Sequence, residues 1–212
     1  ESEAEAEAAQ RLTASRFSDR FRAALPLDPS EILLDDRFDD NGTGWDLANE
    51  DSGRFAAIQN GSLLLEQRRA GYFGSSLVFQ RHRNAIVRFS VSQLSGATNN
   101  GGGLVFRRDN TGEYSLLVSG DGHLRVARYD AGSNAWSDLV PWRRSPNLRT
   151  GLGAQNVVEA RIVGGSIAVY LNGEFEVSSN ELRDAGGDEL GFTASTQRRF
   201  AFGDLVVVGL DS

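Results

Sequence analysis

From Ala85 to Asp130 the chain reads AIVRFSVSQLSGATNNGGGLVFRRDNTGEYSLLVSGDGHLRVARYD, a stretch of alternating apolar runs separated by turn signals. Val87, Phe89 and Val91 alternate with Arg88 and Ser90, and the Gly-rich break Asn99–Gly103 leads into Leu104-Val105-Phe106. Asp109-Asn110-Thr111-Gly112 ends that run, and Tyr114, Leu116 and Val118 resume the alternation. Gly120-Asp121-Gly122 then turns the chain into Leu124, Val126 and Ala127. Successive side chains of a strand point to opposite faces, so this period predicts half-buried strands. Turn residues between consecutive runs predict an antiparallel meander.

The rest of the chain uses the same grammar. Glu31–Phe38 is the first strand candidate, and Asp39–Gly44 is a turn cluster before Trp45. Asn60-Gly61 and Asn172-Gly173 are hairpin signals, and Gly164-Gly165 is a further two-residue turn. VVEARIVGGSIAVYLNGEFEVS is the strongest local hairpin pattern, while Leu190–Phe192 and Phe200–Val208 close the domain. The count is about thirteen short strands, spaced as in a two-sheet sandwich. The fold class is therefore all-β, an antiparallel jelly-roll sandwich over residues 31–212. Val87, Phe89, Val91, Leu116, Val118, Val158, Ala160, Ile162, Val169, Leu171, Phe192 and Val206 are expected between the sheets.

Residues 1–30 read differently. Residues 1–24 lack Gly and Pro and are rich in Ala, Glu and Arg, with a thin apolar stripe at Leu12, Phe17, Phe21 and Leu25. This is a helical extension or a linker, ended by Pro26 and Pro29. Glu1, Glu3, Glu5 and Glu7 supply four of the seven net negative charges, and a chain that is acidic overall gives no electrostatic argument for nucleic acid. All 22 basic residues are Arg, and Cys and Met are absent. Lack of Cys excludes disulfides, thiolate metal sites and a Cys nucleophile. Lack of Met makes the chain read as a processed or excised piece. No apolar run reaches the length of a membrane span.

The pieces DDRFDDNGTGWDL, GRFAAIQNGSLLLE, GGGLVFRRDNTGEYSLLVSGDGHLRVARYD, IAVYLNGEFE and LGFTASTQRRFAFGDLVVVG carry a family resemblance. In this order they resemble the concanavalin A-like lectin and glucanase sandwiches, which include laminin-G-like domains. They are similar in particular to bacterial modules related to 3-keto-disaccharide hydrolases and glycoside hydrolase family 16. The resemblance spans Leu33–Gly209 and consists of turns and core positions. It implies a fold, and a choice among lectin, enzyme and inert spacer.

Glycoside hydrolysis needs two carboxylates at a set separation. The Glu-x-Asp-x-x-Glu motif of the family 16 enzymes is absent, and Glu174 and Glu176 read as edge charges at a hairpin. His82 and His123 have no spaced metal partners, and no nucleophile elbow, phosphate loop or dinucleotide fingerprint is present. The expected function is a non-catalytic binding module, for carbohydrate or a cell-surface protein, in an extracytoplasmic bacterial protein. A divergent hydrolase and a spacer domain are the alternatives. Arg107, Tyr114, Trp136 and Trp142 are the candidate ligand residues, since aromatic faces and planar hydrogen-bonding groups suit sugars. The same aromatics suit core packing. The long polar loop from Arg143 to Ala154 is the expected border of such a site. Asp35, Asp36, Asp39 and Asp204 are candidate ligands for a structural Ca²⁺ if the first and last strands are neighbours. They also read as solvated turn charges.

Overall fold

A computed structural model of the chain describes residues 32–49, 53–69, 74–79, 84–183, 187 and 189–210. The expected helical extension, residues 1–30, lies outside the described residues, as do His82 and the last two residues. The strands, in chain order, are β1 (Ile32–Asp36), β2 (Arg54–Gln59), β3 (Ser62–Gln67), β4 (Gly74–Phe79), β5 (Ala85–Ser95), β6 (Gly101–Asp109) and β7 (Gly112–Ser119). They continue as β8 (His123–Asp130), β9 (Ala135–Arg144), β10 (Asn156–Val163), β11 (Ser166–Leu171), β12 (Glu174–Ser179), β13 (Glu189–Ala194) and β14 (Arg198–Gly209).

Two antiparallel sheets form a sandwich. One has the order β12-β11-β10-β5-β14-β3-β2, with β1 also paired to β14. The other has the order β4-β13-β6-β7-β8-β9. The meander expected over Ala85–Asp130 is thus shorter than the sequence suggests. β5 belongs to the first sheet, between β10 and β14, and the meander is β6 to β9. The connection leaves β5 at Gly96, whose φ of 88° is open to glycine at little cost. Alternation fixes which way a side chain points and says nothing about which sheet a strand joins.

Both Asn-Gly pairs turn as expected. Asn60 and Gly61 have φ of 51° and 69°, and Asn172 and Gly173 have 52° and 92°. These are the left-handed angles that a tight hairpin matched to strand twist requires.

The inward faces meet in one core. Leu104, Phe106, Leu116, Val118, Leu124, Val126 and Phe192 of the second sheet pack against Val87, Phe89, Val91, Val158, Ala160, Val169, Phe200 and Phe202 of the first. Val206 is the exception among the expected core residues. β14 shifts register between Gly203 and Val206, and Asp204 there has a φ of 51°. That bulge reverses the alternation. Leu205 and Val207 therefore face the core, while Val206 and Val208 form a separate buried cluster with Ile32, Ile86 and Val157.

Candidate functional site

The register of the six-stranded sheet separates its two faces. Phe192, Leu104, Leu116, Val126 and Val140 lie opposite one another across β13, β6, β7, β8 and β9, and they face the core. The next row is Gly191, Val105, Ser115, Ala127 and Asp138, and it faces away from the core. Thr193, Gly103, Leu117 and Arg125 make the third row, on the same outer face. Gly191, Gly103, Ser115 and Ala127 keep part of this face low. Val105, Ser115, Leu117 and Ala127 are buried there. The hydroxyls of Ser115 and Ser195 are buried without a hydrogen-bond partner among the described residues. An unmet buried hydroxyl costs about 1–3 kcal/mol.

Large side chains rise along β8 and β9. Tyr129 lies opposite Trp136, with ring centroids 5.2 Å apart. The Arg125 guanidinium stands 5.7 Å from the Trp136 ring centroid. Arg125 donates from Nε to Asp138 Oδ1 at 2.6 Å, and its terminal nitrogen reaches the same oxygen at 2.5 Å. Tyr129 donates its hydroxyl hydrogen to Asn134 Oδ1 at 2.8 Å. Trp142 reaches this face from farther along β9. Its Cη2 lies 2.9 Å from where a Cβ on Gly101 would stand, so the missing side chain of Gly101 makes room for the indole. Trp136 and Trp142 are each 37% exposed, on a strand that closes the sheet edge. β9 carries Pro141 and two register shifts, which unsuit it to pairing with another strand.

The structure thus sets Trp136 and Trp142 on one face. Tyr114 and Arg107 lie elsewhere. Tyr114 faces the core, stacked on Phe106 at 5.5 Å, and its hydroxyl accepts from the Arg183 backbone N–H. Arg107 sits at the β6 irregularity with a φ of 48°, buried, and donates to the Gly164 carbonyl at 2.7 Å. Both link the sandwich internally. The sequence pattern missed Tyr129, Arg125 and Asp138. Their signal was present: Arg125, Ala127 and Tyr129 share one face of β8, and the register adds Asp138.

β1 does pair with β14, as the calcium reading required. Asp35, Asp36 and Asp39 line one open pocket, which Asp204 does not reach. Asp36 is buried, with Oδ1 accepting from the Phe38 N–H and Oδ2 from Trp45 Nε1, both at 2.7 Å. Asp35 and Asp39 are exposed, and Asp204 Oδ2 accepts from the Ser90 hydroxyl at 3.5 Å. Among the described residues no three His, Asp or Glu stand close enough to hold a metal ion. Asp36 commits both oxygens to internal donors, and a Ca²⁺ ion there would need six to eight oxygens around it.

Glu176 is another departure. Its carboxylate is 3% exposed rather than an edge charge, and it accepts from the Ser145 hydroxyl at 2.5 Å and Asn147 Nδ2 at 3.0 Å. These bonds tie the Arg143–Ala154 loop to the first sheet just after Trp142.

Glu113 continues the row of Tyr129 and Trp136. Arg108 lies between it and Glu189, 3.4 Å from the first and 3.7 Å from the second. Burial pushes the Glu113 carboxyl above the usual glutamate range; Arg108 opposes this and Glu189 adds to it. The folded chain therefore holds this proton more tightly than the unfolded chain. Stability contributed here is present in acid and is lost as pH rises through the raised value. Glu113→Gln is expected to gain melting temperature against wild type as pH rises over a range that starts at about 4, the ordinary glutamate value. A difference between the two melting curves that stays flat or falls over that range would contradict the assignment.

No family model matches the chain, and no curated protein does. Solved structures match its fold. The carbohydrate binding module CBM66 from Bacillus subtilis superposes with a TM-score of 0.60 at 15% identity, over 79% of this chain and 96% of that one. A protein of unknown function with a galectin-like fold, also from Bacillus subtilis, gives 0.61 at 12% identity, over 84% and 95%. The GH43 protein BlXynB from Bacillus licheniformis gives 0.57 at 14% identity over 87% of this chain, which corresponds to 40% of that one. The chain thus has the β-sandwich fold found in lectin-like and carbohydrate-binding modules. Among the described residues no helix is long and apolar enough to cross a membrane.

Proposed function

We propose that this chain is a non-catalytic carbohydrate-binding module and that sugar binds the outer face of the six-stranded sheet along β8 and β9. The observation that carries the reading is the pair of exposed indoles on one edge strand with the Arg125–Asp138 pair between them. A sugar ring presents an apolar C–H face and a belt of hydroxyls. The indole faces of Trp136 and Trp142 meet the first, and the guanidinium and carboxylate meet the second. Ligands of this kind need no covalent step. The similarity in fold to a carbohydrate-binding module supports the reading, and we place the module in an extracytoplasmic bacterial protein of concanavalin A-like type.

A glycan array followed by calorimetry tests this. Trp136→Ala and Trp142→Ala are each expected to weaken binding of the best glycan at least tenfold, about 1.4 kcal/mol. Unfolding curves run in parallel should show both variants folded, because both side chains are partly exposed. Wild-type failure to bind any glycan, or undiminished affinity in both folded variants, would overturn the site.

A further inference from the structure

We infer that the ligand is an internal stretch of a linear glycan, about three pyranose units long and laid along β9, rather than a single terminal sugar. The inference rests on the carbohydrate reading above and adds the form of the ligand. Its ground is the spacing of the two platforms. Trp136 lies opposite Tyr129, and Trp142 immediately precedes Arg143, which lies opposite Leu124. β8 runs against β7 without a register shift, so it serves as a ruler. From Tyr129 to Arg125 is four strand steps, about 13 Å. With backbone positions that far apart, the Trp136 ring beside Tyr129 and the Trp142 ring reaching toward Gly101 on β6, one sugar ring cannot cover both indoles.

β9 takes six residues over the same distance, because it shifts register twice against β8. The two extra residues let Val140 turn into the core while Trp136, Asp138 and Trp142 all stay on the outer face. The bulges thus space the platforms without flipping either one.

The polar pair sits between them. Arg125 grips one oxygen of Asp138 from two nitrogens. That leaves Asp138 Oδ2 and further guanidinium N–H groups for hydroxyls of a central ring. Past Trp142 the strand continues into exposed Arg143 and Arg144, and before Trp136 it comes from the exposed turn Ala131–Asn134. A chain can therefore enter and leave along the edge.

The test is titration of wild type with chain-length ladders, from one to six units, of cello-, xylo-, manno- and β-1,3-gluco-oligosaccharides, together with the parent polysaccharides on an array. Affinity is expected to rise at least a hundredfold from one unit to three and to change little beyond four, with no loss when either end of the oligosaccharide is blocked. Trp142→Ala should flatten the ladder, so that added units no longer strengthen binding. A monosaccharide that binds as tightly as the hexamer, or binding lost on blocking one end, would overturn the chain-internal ligand and leave the carbohydrate reading standing. Absence of binding across the whole array would overturn both.

Discussion

Phe192→Ala is expected to destabilise the domain by about 3–5 kcal/mol, lowering its melting temperature by roughly 10 °C or more. Phe192 projects from β13 into the middle of the sandwich and is fully buried. Its ring stacks on Phe202 at 4.3 Å with 6° between planes and meets Phe89 edge-on at 5.0 Å. Trp45 lies stacked 5.5 Å away and Phe38 6.5 Å away. One side chain thus joins the six-stranded sheet to β5 and β14 of the other sheet and to the segment after β1. Loss of the ring removes its burial and opens a cavity whose walls belong to rigid sheets, so little collapse can offset it. Equilibrium unfolding in urea measures the change. A cost below about 1 kcal/mol would mean that the ring does not tie the layers together.

Phe192 was legible as a core residue from its run, and so were Val87, Phe89, Leu116 and Val169, because a strand with one buried face writes its orientation into the sequence. Three things were not written there. Sheet membership of β5 depends on long-range pairing with β10 and β14, which alternation does not encode. The orientation of Val206 depends on the bulge at Asp204, where the turn-type pair Gly203-Asp204 lies inside an apolar run and alternation does not say that it marks a bulge. The position of Arg107 depends on a similar irregularity at the end of β6.

The candidate site shows the same limit. Trp136 and Trp142 were visible as residue types, and their even spacing already puts them on one face of a strand; what was not written there is that two register shifts in β9 cancel and turn Val140 between them into the core. Arg125 and Asp138 are 13 residues apart and meet only because β8 and β9 pair. Tyr114 shares its parity with Leu116 and Val118, and that alternation, rather than its chemistry, decides its place in the core.

Asp36 gives the second large effect. Asp36→Ala is expected to cost about 3 kcal/mol or more, since two buried donors lose a charged acceptor at once. The carboxylate receives the Phe38 backbone N–H on one oxygen and Trp45 Nε1 on the other. Phe38 carries a φ of 57°, unfavourable for a bulky residue, and the bond to its N–H helps hold it there. Asn41 clamps the same turn from the other side, accepting from the Trp45 N–H at 2.7 Å and donating to its carbonyl at 3.2 Å. Once held, Phe38 and Trp45 deliver their rings to the cluster around Phe192, 5.5 Å from each other. Loss of Asp36 therefore reaches the core through a turn. Asp36→Asn separates the two contributions. It keeps the shape and one acceptor oxygen, so one donor stays satisfied, and its cost should fall between those of wild type and Asp36→Ala. Denaturant unfolding gives the energies, and the near-ultraviolet circular dichroism of Trp45 reports whether the indole stays packed. Wild-type stability in Asp36→Asn would show that the second oxygen contributes nothing. Wild-type stability in Asp36→Ala would show that the turn holds Trp45 without the carboxylate.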